Sequence, residues 1–178
     1  SLINPDLAIK TKHLGHGVVR LPDGKMSSRT GKIVTAESVL NQAHELAHNI
    51  QKEKNDDIAE QIGQAAIKYA FLKNHIGGDI EFDVEKSVSF NGNSGPYLQY
   101  TAVRAKNVLA KSSNTSDESP NFGDEELFLG RIISRFEKIL DTSVFENSLS
   151  TLCTYLYELA GSFNSYYDSV KVIGSADE

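Results

Sequence analysis

Tryptophan is absent from this 178-residue sequence, cysteine and methionine occur once each, and prolines number four. A lone Cys153 excludes a disulfide scaffold and suits a reducing compartment, so a cytoplasmic location is expected. No apolar run approaches the ~20 residues of a membrane span, and no leader-like pattern opens the chain, so no membrane partner is expected. Positive charge is scarce too, since the formal net charge is −6. The shortage is uneven: up to Thr35 there are six Lys/Arg against two Asp/Glu, and afterwards twelve against twenty-two. The front of the chain is therefore a plausible anion site. The rest is not a generic nucleic-acid surface, and any RNA contact there must come from a local patch.

What is present is an ordinary globular composition, 39% hydrophobic, in a length that fits one domain or one domain with part of another. Residues 13–21, with Val18 and Val19, read as a strand running into the turn Pro22-Asp23-Gly24. Thr35 is a predicted N-cap for a helix to about Lys54, and Asn55 caps a second, with Asp56 and Asp57 favoured by its dipole. Its stripe of Ile58, Ile62, Ala65, Tyr69, Leu72 and Ile76 recurs at helical spacing until Gly77-Gly78 stop it. Residues 79–92 are less regular, with Phe82, Val84, Val88 and Phe90 as apolar anchors. Pro96 suits the start of a helix over 97–111. On that helix Leu98, Ala102, Ala105 and Leu109 form an apolar stripe expected to anchor it in the core, and Tyr97, Tyr100, Arg104 and Val108 form another face. Residues 112–123 are a polar loop. Asp124 caps a helix that carries Leu129, Ile132, Ile133, Phe136, Ile139 and Leu140. A last helix over 147–168 carries Leu149, Leu152, Leu156, Leu159, Phe163 and Tyr166. The fold class expected is mainly α: a helical bundle behind a short strand-and-loop segment.

Two strings carry candidate chemistry. The first is G-K-M-S-S-R-T-G-K, residues 24–32, where Lys25 and Arg29 stand with three hydroxyls between two glycines and Lys32 follows. A solvated turn accounts for it, and so does a loop that wraps a triphosphate, with cations neutralising charge and hydroxyls donating hydrogen bonds. The second is H-E-L-A-H, residues 44–48, matching the H-E-x-x-H pattern in which two His one helical turn apart hold zinc and the Glu acts as base. Its longer form fails, because Gln51 stands in the glycine place and Lys54 in that of the third His. A distant ligand such as Glu81 would be needed. The expectation is no metal site, with His44 and His48 on a solvated helix face and a zinc metallopeptidase as the minor alternative.

The surroundings of the first string favour the phosphate reading. The segment L-P-D-G-K-M-S-S-R-T-G-K-I-V-T-A-E-S-V-L resembles the K-M-S-K-S region of a class I aminoacyl-tRNA synthetase, in the K-M-S-S-R-T-G form of the arginyl-tRNA synthetases. D-V-E-K-S-V-S-F-N-G-N-S-G-P-Y-L-Q-Y-T-A-V-R-A-K-N-V-L resembles the start of that family's helical anticodon-binding domain, and T-Y-L-Y-E-L-A-G-S-F-N-S-Y-Y-D-S-V-K-V a later helix of it. The three blocks occur in the family's order over nearly the whole chain.

The resemblance implies an arginine–tRNA ligase: ATP-dependent activation of arginine, then transfer to tRNA. It implies that residues 1–35 close a catalytic domain, 36–78 are connecting helices, and 79–178 are an anticodon-binding domain incomplete at its end. The H-I-G-H motif and the arginine pocket would lie upstream of Ser1; His13-Leu14-Gly15-His16 is not that motif. The chain is therefore expected to be a carboxy-terminal portion, inactive alone and prone to self-association through uncovered apolar surface. Lys25 matches the first Lys of the family motif, Met26 would anchor the loop, and Ser27 and Ser28 would hydrogen-bond phosphate oxygens of ATP. Ser28 replaces the second Lys of K-M-S-K-S, and Arg29 next to it would supply the charge. Mg²⁺ would arrive with ATP. For arginine tRNA the implied contacts are Phe90, Asn91, Gly95, Tyr97, Tyr100 and Arg104. Tyr97, Tyr100 and Arg104 share a helical face by their i, i+3, i+7 spacing, two stacking rings beside a cation. The non-enzyme alternative is a stand-alone helical RNA-binding module.

Overall fold

Two capped helices open the bundle. Thr35 accepts a hydrogen bond from the Ser38 amide at 3.1 Å and starts α2 (Ala36–Ile50). Asn55 accepts from the Ile58 amide at 3.0 Å and starts α3 (Asp56–Leu72), whose first turn carries Asp56 and Asp57. Each cap satisfies an amide that the helix leaves without a partner. The computed structural model describes residues 4–22, 34–111 and 122–170. Among these, the remaining elements are α1 (Pro5–Lys10), β1 (Val19–Arg20), β2 (Ile80–Glu81), α4 (Val84–Val88), α5 (Gly95–Lys111), α6 (Asp124–Ser134), α7 (Phe136–Glu146) and α8 (Ser150–Ser169). The protein is mainly α, as the sequence predicts.

The most extensive helix pairing is between α2 and α3. Ala43, Ala47, Ala59 and Ala66 are buried there. Gly63 sits so close to α2 that a Cβ on it would lie 3.1 Å from the carbonyl carbon of Ala43. Small residues bring the two backbones together, and dispersion between close-packed atoms replaces interlocked large side chains. Ile62, Phe82, Val84 and Val88 extend the same core, so the irregular segment after α3 is pinned by its apolar anchors. Burying Phe82 alone contributes roughly 1.5–3 kcal/mol relative to leaving it in water. Asp83 accepts from the Lys86 amide at 3.1 Å, which caps α4 and holds the carboxyl below its usual range.

Several sequence-based expectations need correction: the second helix ends at Leu72, before Ile76 and Gly77-Gly78, and the cap position of α6 is Gly123, with Asp124 its first helical residue. The strand predicted over 13–21 is paired only at Val19 and Arg20, which lie parallel to Ile80 and Glu81. The helix expected to reach Lys54 ends at Ile50; Lys54 Nζ instead donates to the carbonyls of His48 (2.7 Å) and Asn49 (3.0 Å), a cation on the helix's negative end. The helix predicted from Asp124 through Leu140 is two. The chain turns at Arg135, so that Arg135 pairs with Glu158 of α8 at 2.6 Å and Phe136 meets the buried Tyr155, ring centroids 6.1 Å apart. On α5 the stripe expected in the core faces largely outward: Ala102 is exposed and Leu109 is 75% exposed. The buried positions are Gly95, Pro96 and Thr101.

Candidate nucleic-acid interface

The start of α5 is built on α3. A Cβ on Gly95 would collide with the carbonyl group of Ala65, so only glycine lets the two helices meet there. Ser94, itself buried, caps the helix: its Oγ accepts from the Tyr97 amide at 3.2 Å and donates to the Ser89 carbonyl. The preceding loop is tied down from α3 as well. The Tyr69 hydroxyl lies 2.5 Å from Asn93 Oδ1 and 3.0 Å from the carbonyl oxygen of Cys153 on α8, and Lys73 Nζ donates to the Asn93 carbonyl at 2.9 Å. Burial raises the pKa of the Tyr69 hydroxyl well above the ordinary tyrosine value.

On this base the candidate residues divide. Phe90 and Tyr100 stand at the surface, edge to face with ring centroids 6.5 Å apart, and Tyr100 is 44% exposed. Asn91 is exposed, its amide donating to Ser89 Oγ at 3.1 Å. Gly95 is buried under the loop. Tyr97 turns inward: its ring packs on Tyr157 at 5.7 Å between centroids, and its hydroxyl accepts from Asn164 Nδ2 at 3.0 Å. Arg104 lies between two rings, 4.9 Å from the centroid of Tyr100 and 4.7 Å from that of Tyr167. Its guanidinium donates to the Tyr100 hydroxyl (2.6 Å), to Asn164 Oδ1 (3.0 Å) and to Asp168 Oδ1 (3.2 Å). The face with Tyr97, Tyr100 and Arg104 is thus the one by which α5 docks on α8, with Tyr100 at its open edge. Apolar counting misses this because α8 presents a polar residue, Asn164, at the contact.

Asn164, Tyr167 and Asp168 are the members of the cluster that sequence reasoning missed. They lie on another helix, and the one signal was an Asn three and four residues before Tyr167 and Asp168, within a buried helical period. Chemically the cluster offers two partly exposed rings, Phe90 and Tyr100, beside a guanidinium fixed in orientation, which suits stacked bases and a phosphate or base edge.

Lys25, Met26, Ser27, Ser28 and Arg29 lie outside the described residues. His44 and His48 share one face of α2, ring centroids 6.3 Å apart, and His48 Nε2 lies 3.5 Å from Asp56 Oδ1. Among the described residues no three His, Cys, Asp or Glu side chains come together to hold a metal. No helix among them is long and apolar enough to cross a membrane.

A family profile described as the DALR anticodon binding domain matches residues 98–178. The arginine–tRNA ligase of Borrelia hermsii is 39% identical over 176 residues, covering 90% of this chain and 30% of the relative. That of Clostridium kluyveri is 33% identical over 189 residues, covering 99% and 33%. The chain spans about a third of the length of these curated relatives. Among solved structures, the arginyl-tRNA synthetase of Thermus thermophilus superposes with a TM-score of 0.82 at 30% identity, over 94% of this chain and 29% of that one. The Plasmodium falciparum enzyme superposes at 0.71 with 25% identity, over 95% and 32%. Alike in sequence and in fold over nearly its whole length, the chain belongs to the arginyl-tRNA synthetase family, with an anticodon-binding domain in its second half.

Proposed function

We propose that this chain supplies the tRNA-reading part of a cytoplasmic arginine–tRNA ligase, and that the anticodon loop of arginine tRNA docks on residues 90–95 and the open edge of α5. The observation that carries this reading is the juxtaposition of Phe90, Tyr100 and Arg104 on α5 and its preceding loop. Two aromatic faces accept splayed bases, and the guanidinium beside them neutralises a phosphate or reads a base edge. Such a patch needs no basic field around it, which reconciles RNA binding with an acidic chain. Tyr97 and Gly95 serve from beneath, holding the helix start in place, and Asn91 offers its amide group from the loop.

The basic segment at residues 24–32 has the other half of the role. In the whole ligase, arginine attacks the α-phosphate of ATP and pyrophosphate departs. Lys25 and Arg29 stabilise the charge that builds on the leaving group, Ser27 and Ser28 hydrogen-bond its oxygens, and Met26 anchors the loop. Mg²⁺ accompanies the ATP. Residues 36–78 then connect that loop to the RNA-binding half.

The test is filter binding of the chain to an arginine tRNA transcript and to the same transcript with its anticodon bases exchanged. Tighter binding of the unaltered transcript is expected. Equal affinity for the two overturns anticodon recognition by this chain.

A further inference from the structure

Asn164 is 9% exposed in the middle of α8, where an amide without partners would be costly. Its carboxamide is fully engaged. Oδ1 accepts from Arg104, while Nδ2 donates to the Tyr97 hydroxyl at 3.0 Å and to Thr101 Oγ1 at 2.8 Å. The orientation of this amide is not a free choice. Arginine can only donate, so the oxygen must face Arg104 and both N–H bonds must face Tyr97 and Thr101. Thr101 spends its own proton on the Tyr97 carbonyl at 2.9 Å and is left to accept. The Tyr97 hydroxyl, accepting from below, is left with its proton to donate elsewhere. One buried side chain therefore holds one edge of the Arg104 guanidinium and sets the donor polarity of Tyr97.

We infer that Asn164 is a positioning residue for RNA binding, acting through Tyr97 and Arg104 without touching the RNA. This rests on the reading of the α5 edge as the anticodon interface. Asn164→Leu keeps the volume and removes every bond. It should weaken arginine-tRNA binding by the full chain about tenfold, the expected effect of freeing a charged hydrogen-bond donor from its fixed geometry. Asn164→Asp keeps an acceptor toward Arg104 but loses both donors, so the Tyr97 hydroxyl turns inward to donate.

The experiment is a double-mutant cycle on affinity for an arginine tRNA transcript, with melting temperatures alongside. In an Arg104→Ala background, Asn164→Leu should cost less than about twofold more. In a Tyr97→Phe background, Asn164→Asp should lose most of its effect, and this arm stands if the leucine variant fails to fold. Additive losses in both cycles, or wild-type affinity in the Asn164 variants, overturn the positioning role. If Tyr100→Ala and Arg104→Ala themselves bind like wild type, the interface reading falls and takes this inference with it.

Discussion

Replacing Tyr69 with Phe removes one oxygen atom and tests how the RNA-facing loop is held. The ring stays: it is buried on α3 and its shape is unchanged. What is lost is the group lying 2.5 Å from Asn93 Oδ1 and 3.0 Å from the Cys153 carbonyl. Asn93 sits on an exposed loop and can turn to water, so its share of the loss is small. The Cys153 carbonyl belongs to a helix interior and is left with less than its full complement. A buried polar group deprived of a partner costs ~1–3 kcal/mol, and partial replacement by water argues for about 1.5. For a chain of this size that lowers Tm by roughly 3–6 °C. The assay is urea unfolding followed by far-ultraviolet circular dichroism, since the sequence has no tryptophan to report. The midpoint should fall with the slope unchanged. A loss below about 0.5 kcal/mol would refute the tie, because it would lie within the range of an ordinary surface change.

Tyr100→Ala should weaken arginine-tRNA binding roughly 5- to 150-fold, from a stacking contribution of ~1–3 kcal/mol, while Tyr100→Phe loses much less and melting hardly moves. A normal affinity with a Tm several degrees lower would make Tyr100 a packing residue instead. Gly95→Ala should destabilise by about 1–3 kcal/mol or prevent folding, since its Cβ meets backbone of Ala65; thermal melting at wild-type Tm would contradict that contact. Tyr166 donates to Glu126 at 2.7 Å, a bond that pushes the tyrosine up to about 12 and holds the carboxyl below its ordinary value. The unfolded chain ionises its tyrosines near pH ~10, so this contribution is present below that pH and is lost as pH rises from there toward the folded value. The carboxylate side is present above the ordinary Glu range and lost as pH falls through the lowered value. Tyr166→Phe should flatten both limbs of a stability–pH profile, and an unchanged profile would show the bond carries nothing.

The helices whose ends are written in side chains were legible. Thr35 and Asn55 announce α2 and α3, because a cap is a local hydrogen bond that needs no knowledge of the rest of the fold. The break at Arg135 has no glycine or proline to announce it. It exists because Arg135 and Phe136 find Glu158 and Tyr155 on a distant helix. The pairing of β1 with β2 is equally non-local, two residues long on each side. For the candidate interface, the aromatic and cationic members on α5 could be picked out by spacing, but which way the helix turned could not. That was decided by Asn164, which makes a polar face the buried one. The members contributed by α8 were invisible for the same reason: only the folded chain brings Asp168 to Arg104.

The alanine seam between α2 and α3 also bears on the order in which the chain assembles. Its two helices are consecutive, and a five-residue link, 51–55, separates them. Closing so short a loop costs little entropy, and small side chains reach their final contacts without a search among rotamers. The cluster on Arg104 instead joins α5 to α8 across separations of 60 and 64 residues. By loop-closure entropy the helical hairpin forms early and the Arg104 cluster late, so Ala59→Gly should slow refolding while Asn164→Asp should chiefly speed unfolding. Stopped-flow circular dichroism separates the two, and an Asn164 variant that slows refolding in proportion to its loss of stability would reverse that order. In such a sequence of events the surface that would meet RNA is the last to take shape, and the first to be surrendered when the protein opens.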